Sequence, residues 1–458
     1  MFNKTNPEFF ENGPWTFEKT EHAVIGLCKV LDRYAHKLTL DDLKNDPRCT
    51  RIPDLSLERV QEVIDDVETK LWRGVNILDN EVIYHTGPHH DDIMLGLMPF
   101  INRQLRSPRN KVHFAIMTSG YHSVTDKFLR EALEDTLRYL LEGRIQMVHY
   151  PDFFEQGYRF KQVKDVHHYL DNVARKNPDE MRRGFCHRIL RDAVGLWQLK
   201  SVEETVKRLN EEIGNLKEGK PNSHEIQKLK GEVREFEEEL VWAYAGTALD
   251  HIHHLRLGLY DAKVPEPVEG PTPNKQASTK KLKPIDGDVQ AILKQLRSIR
   301  PTTITVAIDY EGLGPNTHYK VMQTIAEAIR RWNEEADLSQ LKVFGYRNVW
   351  STFHPAEANV YVPVSLNAMA VFEKAFKDSY LTQVKAEFPN PDFDGPFSEL
   401  AEQIWVKQYK DVQLVLGKNF FYENTHPLIR AAHGLLFLKQ MTVMEFLDLA
   451  ERMAQKVG

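Results

Sequence analysis

Short apolar runs rich in β-branched residues alternate along this chain with amphipathic helical patterns, and that alternation leaves few folds open. EVIYHTG (81–87), KVHFAIMTSG (111–120), RIQMVHY (144–150), TTITVAI (302–308) and NVYVPV (359–364) read as buried strands. HHDDIMLGLMPFINRQL follows the first of them, and TDKFLREALEDTLRYLLEG the second, with helical spacing. Strands that are apolar on both faces and separated by helices form a parallel sheet covered on both sides. The expected fold class is therefore α/β: a Rossmann-like, mostly parallel sheet. Ligands of such sheets collect at the carboxyl ends of the strands, where the strand order reverses. Chemistry should be sought there.

Three regions surround or interrupt the pattern. Residues 1–78 read as a helical region, with Val24, Leu27, Val30 and Leu31 on one face and Leu57, Val60, Ile64, Val67 and Leu71 on another. The α/β unit spans 79–364, and 365–458 reads as a helical extension packed on it, through SLNAMAVFEKAF, FSELAEQIWVKQYKDVQLVLG and HPLIRAAHGLLFLKQM. Near 200–243, Val202, Val206, Leu209, Ile213 and Leu216, then Ile226, Leu229, Val233, Phe236 and Leu240, step by threes and fours between charged residues. That pattern predicts a protruding antiparallel helical hairpin with a coiled-coil seam, a candidate surface for a homo-oligomer. The stretch 263–288 is Pro-rich and reads as a long mobile loop, either a lid or a plain surface excursion.

Composition excludes several classes of function. Of 458 residues, 60 are Lys or Arg and 66 Asp or Glu, a net charge of -6 that provides no general drive toward nucleic acid or anionic membrane. Cys28, Cys49 and Cys186 lie too far apart for a disulfide framework or a cysteine zinc site, which fits a reducing compartment. The opening MFNKTNPEFFENGPW lacks the apolar core of a signal peptide, and no apolar run approaches the roughly 20 residues that cross a bilayer. A cytoplasmic protein without a membrane partner is expected.

The residues that carry chemistry cluster after the first strand, in Tyr84-His85-Thr86-Gly87-Pro88-His89-His90-Asp91-Asp92. At a strand-to-helix turn, His89 and Asp92 can ligate one divalent ion through imidazole nitrogen and carboxylate oxygen. Asp91 then stands beside the open coordination position, where a base can take a proton from water. A plainer reading is available, since aspartates at a helix start also cap it. The fourth run leads into Asp309, Gly312 and Gly314, and His318 opens the helix after it. His89, Asp92 and His318 thus make a candidate set of three protein ligands, the number a catalytic zinc site uses.

PHHDD, MTSG after the second strand and the late GPNTH together resemble the LmbE-like, or PIG-L, zinc-dependent N-acetylglucosaminyl deacetylases, whose first motif is typically A-H-P-D-D-E and whose last is H-P-D-H. FGYRNVW, EANVYVPVSLNAMAVFEKAF and FDGPFSELAEQIWVKQY are similar to the PIG-L-like domain attached to certain bacterial glucosamine-6-phosphate deaminases. The resemblance covers roughly 79–160, 245–262 and 300–440. It implies that His89, Asp92 and His318 hold Zn2+ or another divalent ion, and that Asp91 is the general base. It also implies that the reaction is hydrolysis of an N-acetyl group from an amino sugar.

The departures are specific. His90 replaces the family's proline, Ile93 its glutamate and Thr317 its aspartate, while Pro315 stands where the last motif carries an oxyanion-stabilising histidine. Losing one such donor costs ~100- to 1,000-fold in rate. His253, His254 and His354 are the candidate replacements. In YRNVW, Arg347 and Asn348 offer a fork of donors and an amide suited to a sugar bearing phosphate or hydroxyls, with Tyr346 and Trp350 as aromatic faces. The alternative reading is a catalytically silent metal- and sugar-binding or regulatory protein on the same fold. The deaminase activity of the two-domain relatives is not expected, because residues 1–78 are too few to contain the deaminase half.

Overall fold

The computed structural model describes residues 7–11, 13–76, 78–150, 152–155, 159–217, 219–259, 284–308, 316–385 and 395–457. Seven strands form one open sheet: β1 (Val82–Gly87), β2 (Lys111–Ile116), β3 (Ile252–His254), β4 (Thr303–Ala307), β5 (Lys342–Tyr346), β6 (Val360–Ser365) and β7 (Ala432–Met441). Their order is β3-β2-β1-β4-β5-β7-β6, and β1 to β5 are all parallel. The chain moves outward from β1 through β2 to β3, then returns to place β4 on the other side of β1. Neighbouring connections therefore leave β1 and β4 in opposite directions, which opens a crevice at their carboxyl ends.

Alternation along the strands feeds an apolar core on each face. Ile83, Val112, Phe114 and Ile116 pack with the helices Asp92–Gln104, Asp126–Leu141, Pro178–Trp197 and His224–Tyr244. Tyr84, Ala115, Ile304 and Val306 pack on the other side, with Phe17–Leu31, Leu57–Val75, Asp286–Ile299, Asn316–Asn333 and Val443–Val457. In the N-terminal helices Val24, Leu27, Val60, Val67 and Leu71 are buried as the spacing predicts, but Val30, Leu31 and Leu57 face solvent. Gly74 is where Leu57–Val75 crosses β6: a Cβ there would sit 1.8 Å from the Tyr361 carbonyl oxygen. Among the described residues no helix is long and apolar enough to cross a membrane.

Several expectations need correction. RIQMVHY holds no strand: Gln146–His149 is a single 3₁₀ turn that buries Ile145 and Val148, three residues apart, as that repeat does. The strand beside β2 is instead β3, inside HIHHLRLGLYD. The 365–458 region is not an all-helical extension. After the short helix Pro427–Arg430, HGLLFLKQM is the long strand β7, antiparallel to both β5 and β6 and buried from Gly434 to Leu438. A short run apolar on every side has no period that separates strand from buried helix. Pro363 is tolerated in β6 because β6 is an edge strand.

The predicted protruding hairpin is also not one. Val202–Asn215 packs against Asp126–Leu141, whereas His224–Tyr244 packs against Arg159–Ala174, Pro178–Trp197 and Leu366–Ser379. Its charged residues Arg234, Glu235, Glu237 and Glu238 are buried rather than solvated. The Pro-rich stretch 263–288 lies outside the described residues up to 283, and Asp286 to Asp288 begin a helix.

Candidate metal centre

The centre is assembled at the β1/β4 crevice. β1 ends at Gly87, where the chain folds back so tightly that a Cβ would meet Ile93 at 2.7 Å and the His89 carbonyl at 2.9 Å. The Thr118 hydroxyl at the end of β2 donates to the Pro88 carbonyl (2.8 Å), and the Tyr346 hydroxyl at the end of β5 donates to that of Thr86 (2.8 Å). Between these anchors His89 leaves the turn and Asp92 opens the helix Asp92–Gln104. The His89 amide donates to Asp92 Oδ2 at 2.7 Å, so the turn orients its own carboxylate.

His318, in the first turn of Asn316–Asn333, arrives from the far side of the crevice. Its Nε2 lies 3.1 Å from Asp92 Oδ2 and 3.2 Å from His89 Nδ1, and His89 Nδ1 is 3.1 Å from Asp92 Oδ2. Three ligand atoms thus stand at the corners of a nearly equilateral triangle. A tetrahedral zinc shell with bonds of about 2.0–2.2 Å has edges of roughly 3.3 Å. The donor set therefore fits a small divalent cation, and among the described residues it is the one group of three ligating side chains drawn together in this way. Burial pushes the Asp92 carboxyl up, but His318 and then His89 outweigh it and hold it well below the usual carboxylate range. Asp92 is accordingly an anion, as a ligand must be.

The second oxygen, Asp92 Oδ1, accepts from the Asn348 side-chain amide at 2.5 Å. Such outer hydrogen bonds fix the ligand's direction. Asn348, expected to bind substrate, is placed by the structure against the candidate ligand Asp92. Arg347, expected beside it, is committed elsewhere: it donates to the carbonyls of Ile308 (3.2 Å) and Thr352 (2.9 Å), pairs with Glu357 (3.1 Å) and lies over the Phe353 ring. A guanidinium so engaged, with a side chain only 9% exposed, has a packing role. Tyr346 is buried, and Trp350 packs edge-on against Phe397 (6.3 Å between centroids).

Asp91, the residue before Asp92, is nearly buried, and its partner comes from an unexpected place. Arg234, wholly buried on His224–Tyr244, donates through Nη2 to Asp91 Oδ1 at 3.1 Å. The same guanidinium pairs with Glu237 and donates to the Thr382 hydroxyl (3.0 Å), while Glu237 accepts from the Thr382 amide (2.6 Å). Next to them Tyr380 bonds both the His90 carbonyl and Glu238, and Trp242 Nε1 donates to Glu238 at 2.5 Å. Burial pushes Glu238 up to about 8. The Tyr380 hydroxyl and the Trp242 indole, which donate to it, pull it back down. No sequence signal distinguished Arg234, because REFEEE looks like the solvated face of a hairpin.

The candidate replacement histidines separate. His254 and His90 are stacked 5.7 Å apart, and burial, then Arg234, drives the His90 imidazole well below its usual range. His253 lies against His113 (3.2 Å), and His354 is stacked on His22 at 3.7 Å under the N-terminal helices. Pro315, Asp309, Gly312 and Gly314 lie outside the described residues. The chain matches no family model, no curated protein and no solved structure.

Proposed function

We propose that this chain is a metal-dependent hydrolase that removes an N-acetyl group from an amino sugar or a related small molecule, with zinc as the ion. The observation that carries the reading is the triangle of His89, Asp92 and His318 at the switch point of the sheet, with the carboxylate of the preceding residue, Asp91, oriented by Arg234. The resemblance of PHHDD and GPNTH to LmbE-like deacetylases supports the same chemistry. When bound, a divalent ion supplies Lewis acidity, polarising an acyl carbonyl and making water acidic near neutral pH.

The chain's own residues do the rest. Arg234 engages Asp91 Oδ1, which orients the carboxylate and leaves Oδ2 as the proton acceptor. Asp91 takes the proton that water releases as its oxygen attacks the acyl carbon. It returns that proton to the amide nitrogen as the C–N bond breaks, so the products are acetate and a free amine. Asn348 keeps Asp92 pointed at the centre throughout.

The test is metal analysis combined with acetate release from N-acetylglucosamine derivatives. Asp91→Asn should keep the metal and lose ~100-fold or more of the rate, the scale of general base catalysis. His318→Gln should lose both. Stoichiometric zinc with no acetate released from any such amide would overturn the hydrolase and leave a metal- and sugar-binding protein.

A further inference from the structure

The His-rich segment HIHHLRLGLYD divides at the sheet, because neighbouring residues of a strand face opposite sides. His254 faces His90, next to the metal centre. His251 and His253 face the other side, and the parallel register that sets Phe114 opposite Ile252 brings His113 of β2 to the same place. Three imidazoles, from β2, β3 and the 3₁₀ turn Leu249–His251 that precedes β3, therefore form a cluster that the centre does not use. His113 Nδ1 lies 3.2 Å from His253 Nε2. The His113 ring is 4.4 Å from that of His251 and 5.5 Å from that of His253, centroid to centroid.

We propose that this cluster is a second cation site, in which His113 and His253 ligate a borderline divalent transition-metal ion through the facing nitrogens Nδ1 and Nε2, with His251 packed beside them. Two nitrogens 3.2 Å apart already match an edge of a coordination shell with bonds of about 2.0–2.1 Å. His251 Nδ1 lies 3.1 Å from the Val112 carbonyl, which can only accept. The proton is therefore on Nδ1, and this hydrogen bond holds the His251 ring beside the pair. An all-imidazole set suits Zn2+, Ni2+ or Cu2+ and not Ca2+ or Mg2+, which take oxygen.

The physical consequence is a cross-link. β3 has three residues and pairs only with β2, so it is the short edge of the sheet. An ion shared by His113 and His253 ties that edge down, and with it the chain leading to His254.

Titration of the full chain with Cu2+, read by calorimetry and electron paramagnetic resonance, tests this directly. The wild type should take up two equivalents and His113→Gln/His253→Gln one. His318→Gln should keep the His113 site, with nitrogen hyperfine structure from imidazole. Should the double variant fail to fold by circular dichroism, His113→Gln and His253→Gln separately must each show the same loss. An unchanged copper count in these variants, or a second equivalent lost only in His318→Gln, overturns the proposal.

Discussion

Replacing Arg234 by methionine isolates the contribution of the buried pair behind Asp91. Methionine keeps most of the apolar stem, so the change is chiefly electrostatic. It leaves the Glu237 carboxylate, itself 0% exposed, with only the Thr382 amide and hydroxyl as donors. Removing one partner of a buried ion pair costs ~3–5 kcal/mol, because the other charge stays desolvated. Glu237 has one escape, which is to take up a proton. Burial already raises its pKa above the usual 4.5 and Arg234 pulls it back, so without Arg234 it rises further. A carboxyl raised in the folded state binds a proton that the unfolded chain does not, so stability falls as pH rises through the folded pKa. The deficit of Arg234→Met should therefore be about 3–5 kcal/mol at neutral pH and smaller near pH ~5.5. Urea unfolding followed by tryptophan fluorescence at both pH values measures it. Arg234→Met/Glu237→Gln should recover part of the loss. A deficit under ~1 kcal/mol, or one that Glu237→Gln leaves untouched, refutes the argument.

Three other outcomes follow from the same geometry. Asn348→Ala removes the donor to Asp92 Oδ1 and should weaken metal affinity by ~10- to 100-fold in competition with a fluorescent chelator, at little cost in stability. Glu238→Gln should match the wild type near pH 4.5 and be more stable by ~1–3 kcal/mol at neutral pH, because the raised carboxyl takes up a proton on folding and the amide does not. The wild type should lose stability as pH rises from 4.5 to about 8 and the variant should not, which denaturation midpoints at the two ends of that window will show. The stacked His22 and His354 are both lowered by burial, His22 to about 4 and His354 further. Their unfolded forms bind protons first, so stability is present above the unfolded value of 6.5 and falls as pH drops below it. His22→Phe, which fits beside Phe9 and Phe10, should flatten that part of the acid profile.

The legible part of the site is the part written in contiguous residues. Gly87 to Asp92 is one strand-to-turn-to-helix passage, and its ligands were visible because spacing along the chain is also spacing in space. His318 was legible for a different reason. It follows the start of a helix after another buried strand, and parallel strands of one sheet send their following turns to one edge. The contacts of Arg347 and Asn348 were not legible: their residue types suit a sugar, and only packing places one on main-chain carbonyls and Glu357 and the other on Asp92.

By itself, then, the order of apolar runs and helices determined a layered α/β sheet and the edge at which its ligands gather. What it left open was decided by which surfaces dock. The antiparallel strand β7 between β5 and β6 is buried on both faces from Gly434 to Leu438, so that stretch has no periodicity to reveal it. The helix carrying Arg234 has the charge pattern of an exposed hairpin, and it became interior because Pro178–Trp197 and Leu366–Ser379 close over it. Burial is a property of neighbours distant in sequence, and the same guanidinium that would have been solvated on a free helix instead holds Asp91 in place.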